Sequence, residues 1–264
     1  MSQSATFSAY FDIYIGDEAE FGKSLAAYEA TSELLARSAN IYGLPNIPEE
    51  LDEEQRGVIE EINNLDHPLV FTKPVPLNVG RLVFSLDPSP GLAKTRANFL
   101  SLCSGDRGMC KNAPNKPLHY LSCPIHRIVQ GFVAQGGDVT RGDGSGGEVN
   151  RAFLNVYVQP AEASDILLPS QYTAKFNDEK DGLRKAIKKG SLAMANSGKN
   201  SNSSQWFVVL TDEESKLKKM AGKYVVFGEL IQGWDVLDKL DAVGGKGGDG
   251  KPLERVWIGG CGAL

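Results

Sequence analysis

Short apolar runs separated by glycines are the feature that most limits what this chain can fold into. Five such runs, each of strand length, lie within the segments IHRIVQGFVAQGGD, GSLAMAN, SQWFVVL, YVVFGEL and ERVWIGG. Runs this short suit β-strands, because an amphipathic helix needs a longer periodic segment. The chain also has 29 glycines and only 8% aromatic residues, which favours many tight turns. These features predict a mainly β fold, a barrel or a sandwich, and exclude a helical bundle.

Length and composition exclude several other classes of protein. The 264 residues are compatible with one large all-β domain that carries insertions. The fractions of 41% hydrophobic and 23% charged residues are ordinary for a globular protein and exclude wholesale disorder and fibrous folds. No apolar run reaches the roughly 18 residues of a membrane span, and the N-terminus lacks the pattern of a signal peptide. We therefore expect a cytoplasmic protein without membrane contact, and a nuclear location stays open.

Charge is concentrated in one stretch of the sequence. Between Asp17 and Asp66, thirteen acidic residues stand against Lys23, Arg37 and Arg56, which gives a net charge of −10. The whole chain carries −5, so the remainder is mildly positive and its positive charges are scattered. This distribution does not predict a nucleic-acid surface.

The acidic stretch interrupts a predicted β-hairpin. Residues Ala9–Ile15 alternate and are rich in aromatic and β-branched residues, and residues Gly80–Leu86 form a second strand-like run. Between them, two helical patterns flank the connector GLPNIP. We therefore predict a first strand in residues 1–16, an inserted helical hairpin with its return segment in residues 17–79, and the rest of the barrel in residues 80–264. The insertion is either a solvated decoration or the docking site of a protein partner.

Two further helices are predicted to cap the sheet. The first begins at Pro90, and the second covers residues Gly233 to Val243. We expect the apolar side of the first to carry Leu92, Ala93, Ala97, Leu100 and Leu102.

The four cysteines do not predict a metal site. Cys103, Cys110, Cys123 and Cys261 contain no CxxC pair, and the chain has only three histidines. We expect reduced thiols and no structural zinc.

Several motifs resemble those of the cyclophilin family. The run HRIVQGFVAQGGDVTRGDGSGG resembles the central cyclophilin signature, and GSLAMANSGKNSNSSQWFVVL resembles the second one. GKYVVFGELIQGWDVLDKL and the terminal GGCGAL are similar to the last segments of the family. The likeness covers residues Ala9–Gly16 and Gly80–Leu264. It implies an eight-stranded antiparallel barrel capped by two α-helices, and peptidyl-prolyl cis/trans isomerase activity without a cofactor.

Arg127 has the chemistry that this activity requires. An X-Pro bond has a rotation barrier of about 18–20 kcal/mol, because the amide keeps partial double-bond character. No bond breaks during rotation, so the reaction needs neither a nucleophile nor a metal. A permanently charged, forked guanidinium can donate a hydrogen bond to the prolyl nitrogen or the neighbouring carbonyl as the bond twists. The alternative role for Arg127 is a surface salt bridge.

The resemblance assigns roles to nine other residues. It implies that Phe132, Val133 and Phe207 line a proline socket whose far side is closed by Met220 and Tyr224. It further implies that Gln135 orients Arg127, and that the substrate backbone is held by Asn196, Ala195 and Gln205. The alternative is that the aromatic residues belong to the barrel core and that the glutamines are buried polar groups satisfying turns.

The sequence departs from the family pattern at two of these positions and at one further position. Val133 stands where methionine is usual, and Tyr224 stands where histidine is usual. Lys219 aligns with the tryptophan that covers the groove in most members. We expect activity to survive, but we expect weak binding of cyclosporin because a lysine offers no indole N–H and no apolar cover.

Two additional features of the sequence each have two alternative roles. The insertion Asn150–Thr173 either borders the pocket for the residue N-terminal to the prolyl dipeptide or forms a surface flap. Cys103 and Cys261 resemble the redox-sensitive pair of divergent-loop cyclophilins, and their alternative is a pair of buried apolar thiols.

Two functional hypotheses follow. In the first, the protein is an isomerase that acts on X-Pro bonds of peptides and folding proteins. In the second, it is a proline-peptide binding module or scaffold whose turnover is incidental.

Overall fold

The structure is a computed structural model that describes residues 7–64, 68–149, 175–246 and 248–264. The chain divides into two compact units. The inserted unit is Gly16–Leu77, and the barrel unit consists of the residues before and after it. The predicted insertion of residues 150–173 lies outside the described residues.

The barrel unit contains one sheet, whose eight strands run in the order β3-β4-β6-β5-β7-β2-β1-β8. Every strand pair in it is antiparallel. This confirms the predicted mainly β, eight-stranded antiparallel fold. The strands are β1 Phe7–Ile15, β2 Asn78–Leu86, β3 Arg127–Val129, β4 Val133–Gly136, β5 Ser191–Met194, β6 Trp206–Val209, β7 Val226–Gln232 and β8 Val256–Ala263.

Backbone hydrogen bonds outside the named strands join the two edges of the curled sheet. The segment before β3 pairs with β8: the Ser122 amide donates to the Ile258 carbonyl at 2.7 Å, and the Ile125 amide donates to the Val256 carbonyl at 2.9 Å. The Ile258 amide returns a bond of 3.0 Å to the Cys123 carbonyl. Few main-chain groups are left open at these edges, so the sheet curls around a closed core.

Aromatic side chains fill the inside of the barrel. Phe11 of β1 stacks on Trp206 of β6, with ring centroids 4.9 Å apart. It also makes edge-on contacts with Phe84 and Tyr120 at 5.8 and 5.7 Å. Because alternate residues of a strand point to opposite faces, residues next to these in sequence face outward.

The described residues contain six α-helices. They are α1 Glu18–Tyr42, α2 Glu53–Glu61, α3 Ala93–Ser104, α4 Lys180–Arg184, α5 Glu214–Met220 and α6 Trp234–Ala242. Helices α1 and α2 form the predicted inserted hairpin, and α3 and α6 are the two predicted capping helices. Helices α4 and α5 were not predicted, because five and seven residues are too few to show a helical period.

The predicted apolar side of α3 is confirmed only in part: Leu92 and Leu102 are buried in the barrel core. Ala93, Ala97 and Leu100 are only half-buried. The face that packs inward carries polar residues as well as apolar ones, because Asn98 donates to the Ser203 carbonyl at 3.1 Å and is thereby satisfied inside the protein. The buried residues of this helix are Thr95, Arg96, Asn98, Phe99, Leu102 and Cys103.

The two helices of the inserted unit begin at acidic caps. The Asp17 carboxylate accepts the first free amides of α1, and Asp52 forms a capping box with Gln55 at the start of α2. Gly43 ends α1 in the left-handed conformation at φ 67°.

A small core of its own holds the inserted unit together. Leu35 and Ala39 of α1 pack with Leu51 and Ile59 of the second half, and all four are at most 3% exposed.

Within the described ranges, no helix is long and apolar enough to cross a membrane.

Candidate functional site

The candidate site lies on the outer face of strands β4, β5 and β6. On β6, Trp206 and Val208 belong to the barrel core, whereas Phe207 and Val209 belong to a second apolar cluster. Strand β4 alternates in the same way, and Gln135 pairs with Phe207 across the ladder. Because alternate side chains of a strand point to opposite faces, each of these strands contributes to both the barrel core and the floor of the candidate site.

A cavity of about 80 Å³ opens on this face. We call it the socket. Nine of the ten residues predicted from the sequence line it, although they come from segments almost 100 residues apart. They are Arg127, Phe132, Val133, Gln135, Ala195, Asn196, Phe207, Met220 and Tyr224.

The walls of the socket are apolar and well packed. Phe207, Val133 and Met220 are each at most 4% exposed. The ring of Tyr224 meets Phe207 edge-on, with centroids 5.0 Å apart and an interplanar angle of 84°. Such edge-on contacts are favourable and hold both rings in place. The socket is thus a dry, rigid recess with room for one small apolar ring.

Arg127 stands at the polar side of the socket. The described residues offer its guanidinium no hydrogen bond and no ion pair, so the predicted alternative of a surface salt bridge is not seen there. Its alkyl chain lies against Gly250: a Cβ at Gly250 would fall 3.0 Å from Arg127 Cγ and 2.6 Å from Val129. Gly250 also has φ of +65°, so glycine is required there on both counts. The sequence did not point to this residue.

Gln135 lies opposite Arg127 in the ladder between β3 and β4. Among the described residues, its side-chain oxygen accepts no hydrogen bond from Arg127, and its side-chain amide is directed elsewhere. It donates to Oε1 of Gln205 at 2.9 Å, and Gln205 donates in turn to the carbonyls of Gly144 and Gly146 at 2.9 and 2.7 Å. Gln205, the tenth predicted residue, therefore stands behind the socket and links Gln135 to the glycine-rich loop of residues 138–147.

Asp138 organises that loop, and sequence reasoning missed it. Its two carboxylate oxygens accept four backbone amides, those of Thr140, Arg141, Gly144 and Gly146, and the Thr140 hydroxyl. These hydrogen bonds outweigh the effect of burial and lower the pKa of Asp138 to about 2. The acidic residue directly after the glycine pair of QGGD is the sequence signal that marks it.

Gly137, just before Asp138, has a structural role. Its φ is +86°, and a Cβ there would lie 2.5 Å from the Ser204 carbonyl oxygen.

Asn196 fixes the opposite rim of the socket. Its side-chain amide donates to the Lys223 carbonyl at 3.0 Å, and its oxygen accepts the Gly198 amide at 3.3 Å. The segment beside Tyr224 is therefore tied to the loop after β5.

Helix α5 borders the socket on the side where the lid residue was expected. Met220, its last residue, is buried and lines the socket, whereas Lys219 is exposed and does not. Neighbouring helix positions differ by about 100° in direction, which separates the two side chains.

Comparison with protein families matches residues 75–263 to the family described as cyclophilin type peptidyl-prolyl cis-trans isomerase/CLD. The match covers well over half of the chain. The protein belongs to the cyclophilin family.

The cyclophilin fold extends beyond the matched residues. Strand β1 precedes the inserted unit in sequence, yet it lies between β2 and β8 in the sheet. The inserted unit therefore separates the first strand of this cyclophilin from the other seven.

The four cysteines of this cyclophilin are free thiols. The thiol of Cys261 donates to the Cys103 carbonyl at 3.4 Å and lies 3.3 Å from Nε2 of His119. Burial raises the pKa of Cys261 to about 12 and raises the pKa of Cys103 well above its ordinary value. Both thiols therefore stay protonated at neutral pH in this structure. Among the described residues, no group of three or more His, Cys, Asp or Glu side chains could hold a metal ion.

Proposed function

We propose that this cyclophilin is an active peptidyl-prolyl cis/trans isomerase that acts on X-Pro bonds of peptides and folding proteins. The observation that carries the proposal is the guanidinium of Arg127, which has no hydrogen-bond or ion-pair partner among the described residues and stands beside an apolar socket. The reaction needs these two elements, a recess for the proline ring and a donor for the imide.

The proposed mechanism is selective stabilisation of the twisted amide. Rotation removes the conjugation of the prolyl nitrogen and localises a lone pair on it. Arg127 donates a hydrogen bond to that nitrogen or to the adjacent carbonyl, and this bond is strongest in the twisted state. Phe132, Val133, Phe207 and Met220 hold the ring and exclude water.

The remaining residues of the socket position the strand opposite Arg127 and the substrate backbone. Gln135, tied to Gln205, keeps the strand opposite Arg127 in place. Asn196 and Ala195 border the path of the substrate backbone.

Exchange spectroscopy on a short X-Pro peptide tests the proposal. Arg127→Ala should lower kcat/KM at least about tenfold, which corresponds to roughly 1.4 kcal/mol of transition-state stabilisation. Arg107→Ala, which removes an exposed arginine paired with Asp106, is the matched control and should keep full activity. If a folded Arg127→Ala variant isomerises the peptide as fast as the parent does, the role given to Arg127 is wrong.

The same experiment separates an enzyme from a binding module. A parent protein that binds the peptide but does not accelerate its exchange would be a scaffold. The unpaired Arg127 favours the enzyme, since a binding site needs only the socket.

The four free thiols also support a location in a reducing compartment, and we take the cytoplasm as the site of action.

A further inference from the structure

A second cavity adjoins the socket and is lined by lysines. Its volume is about 900 Å³, and it shares Asn196 and Tyr224 with the socket. We call it the lysine cavity. Its charged lining residues are Lys180, Lys199, Lys223 and Asp178.

The three lysines have no charged partner. All three side chains are exposed, and no ion pair reaches them from the described residues. Other lysines of the same region do form ion pairs: Lys216 with Glu213, and Lys218 with Glu214. The ammonium groups of the lysine cavity are therefore available for a ligand.

The single carboxylate of the lysine cavity is already engaged. Asp178 accepts the Asn200 amide at 2.9 Å and the side-chain amide of Asn202 at 2.8 Å. It holds the loop that carries Lys199, and it leaves the lining with a formal excess of two positive charges. A concave surface of one sign concentrates ligands of the opposite sign.

Proximity to the socket indicates what the ligand is. Asn196 and Tyr224 border both cavities, so a peptide whose proline occupies the socket can leave it past either residue into the lysine cavity. A side chain close to the proline in the sequence of the substrate can therefore reach it.

We infer that the lysine cavity is a specificity site for an acidic side chain of the substrate, close in sequence to the X-Pro bond. The inference rests on the proposed isomerase function and names its preferred substrates, X-Pro segments flanked by glutamate or aspartate. Each exposed ion pair contributes little binding energy, so the three lysines act together. Their effect is on the binding of the substrate.

Peptides that differ by one charge test the inference. Four X-Pro peptides are needed: a glutamate on the N-terminal side of the X-Pro bond, a glutamate on the C-terminal side, and the glutamine version of each. KM and kcat are measured by exchange spectroscopy and Kd by titration, at low and at high salt. One glutamate peptide should show a KM about three- to tenfold below that of its glutamine version, with the same kcat. High salt should remove the difference, because it screens exposed charges.

Substitution of the lysines assigns the effect to the lysine cavity. The triple variant Lys180→Gln, Lys199→Gln and Lys223→Gln should lose the preference and keep the parent's KM for the glutamine peptide. Lys111→Gln removes one exposed lysine outside the cavity and should keep the preference.

The outcomes distinguish this inference from the proposed function. If both glutamine peptides are isomerised but neither glutamate improves KM or Kd, the specificity site is wrong and the isomerase stands. If no peptide is isomerised, the proposed function is wrong, and the Kd values alone decide on the site. A preference that survives in the triple variant also overturns the inference.

Discussion

Two residues outside the lining of the socket define the geometry around it. Gln205 is 8% exposed and links Gln135 to the carbonyls of the 138–147 loop. Asp138 is 1% exposed and closes that loop by accepting its amides. Buried polar groups of this kind are costly unless they are fully paired, and here both are. The position of Gln135, opposite Arg127, therefore depends on the ionised carboxylate of Asp138.

Loss of that carboxylate charge should destabilise the protein in acid. Because the pKa of Asp138 is lowered to about 2 in the folded state, its contribution is complete above the unfolded-state pKa near 4 and is lost as pH falls towards 2. Asp138→Asn should lower the free energy of unfolding by about 1–3 kcal/mol at pH 7, since an amide cannot accept all these hydrogen bonds. Urea denaturation at pH 7, 4 and 3 measures both effects.

The difference in stability between parent and variant should shrink as pH falls from 4 to 3. Asp212→Asn, at an exposed position, is the control and should follow the parent at every pH. A constant difference between parent and Asp138→Asn across this range would contradict the role given to the charge.

At the scale of elements, the short helix α5 decides what covers the groove. It contributes Met220 to the socket and turns Lys219 to solvent. An exposed lysine keeps its ammonium group hydrated and covers little apolar surface. Helix α5 therefore gives the socket an apolar wall on this side but contributes no aromatic lid.

Cyclosporin should consequently bind weakly. The loss of an indole hydrogen bond and of apolar cover costs about 1–3 kcal/mol, which is roughly one to two orders of magnitude in Kd. Lys219→Trp should recover about tenfold of that affinity, measured by titration calorimetry. Lys218→Trp places the same ring on the neighbouring exposed position of α5 and should recover nothing. Low-nanomolar binding of cyclosporin by the parent would show that the residue at the lid position contributes less to the affinity than the loss of an indole predicts.

At the scale of the whole molecule, the two units have separate cores. None of the described residues of Gly16–Leu77 belongs to the main core cluster of the barrel unit, and the core of the inserted unit is centred on Leu35 and Ile59. The ladder between β1 and β2 runs from Phe7 opposite Leu86 to Tyr14 opposite Asn78. The chain therefore leaves and re-enters the sheet at adjacent strand ends.

Removal of the inserted unit should leave a folded barrel. Replacing residues 16–77 with an Asn-Gly turn joins β1 to β2 as a hairpin, which that ladder already prepares. We expect the thermal midpoint to change by a few degrees at most and the isomerisation of a short X-Pro peptide to be retained. Calorimetry and exchange spectroscopy measure the two. Aggregation of the deletion variant would mean that the barrel core needs the inserted unit.

The sequence by itself determined the strands, the two longer capping helices and the membership of the socket. Strand alternation is a local property, so the inward Trp206 and the outward Phe207 can be told apart by counting. The family motifs then supplied nine residues that the structure brings to one cavity. The apolar side of α3 was predicted only in part: Leu92 and Leu102 are buried, but Asn98 is buried as well, through a hydrogen bond to Ser203, a partner 105 residues away.

The tertiary structure alone decided how polar groups are partnered. It left the guanidinium of Arg127 unpaired among the described residues, directed Gln135 to Gln205, and placed three unpaired lysines beside the socket. It also closed the barrel through residues 122–125, which carry no strand pattern. The physical reason is the range of the interactions: alternation and capping act over a few residues, whereas hydrogen bonds and charges depend on segments that only the folded chain brings together.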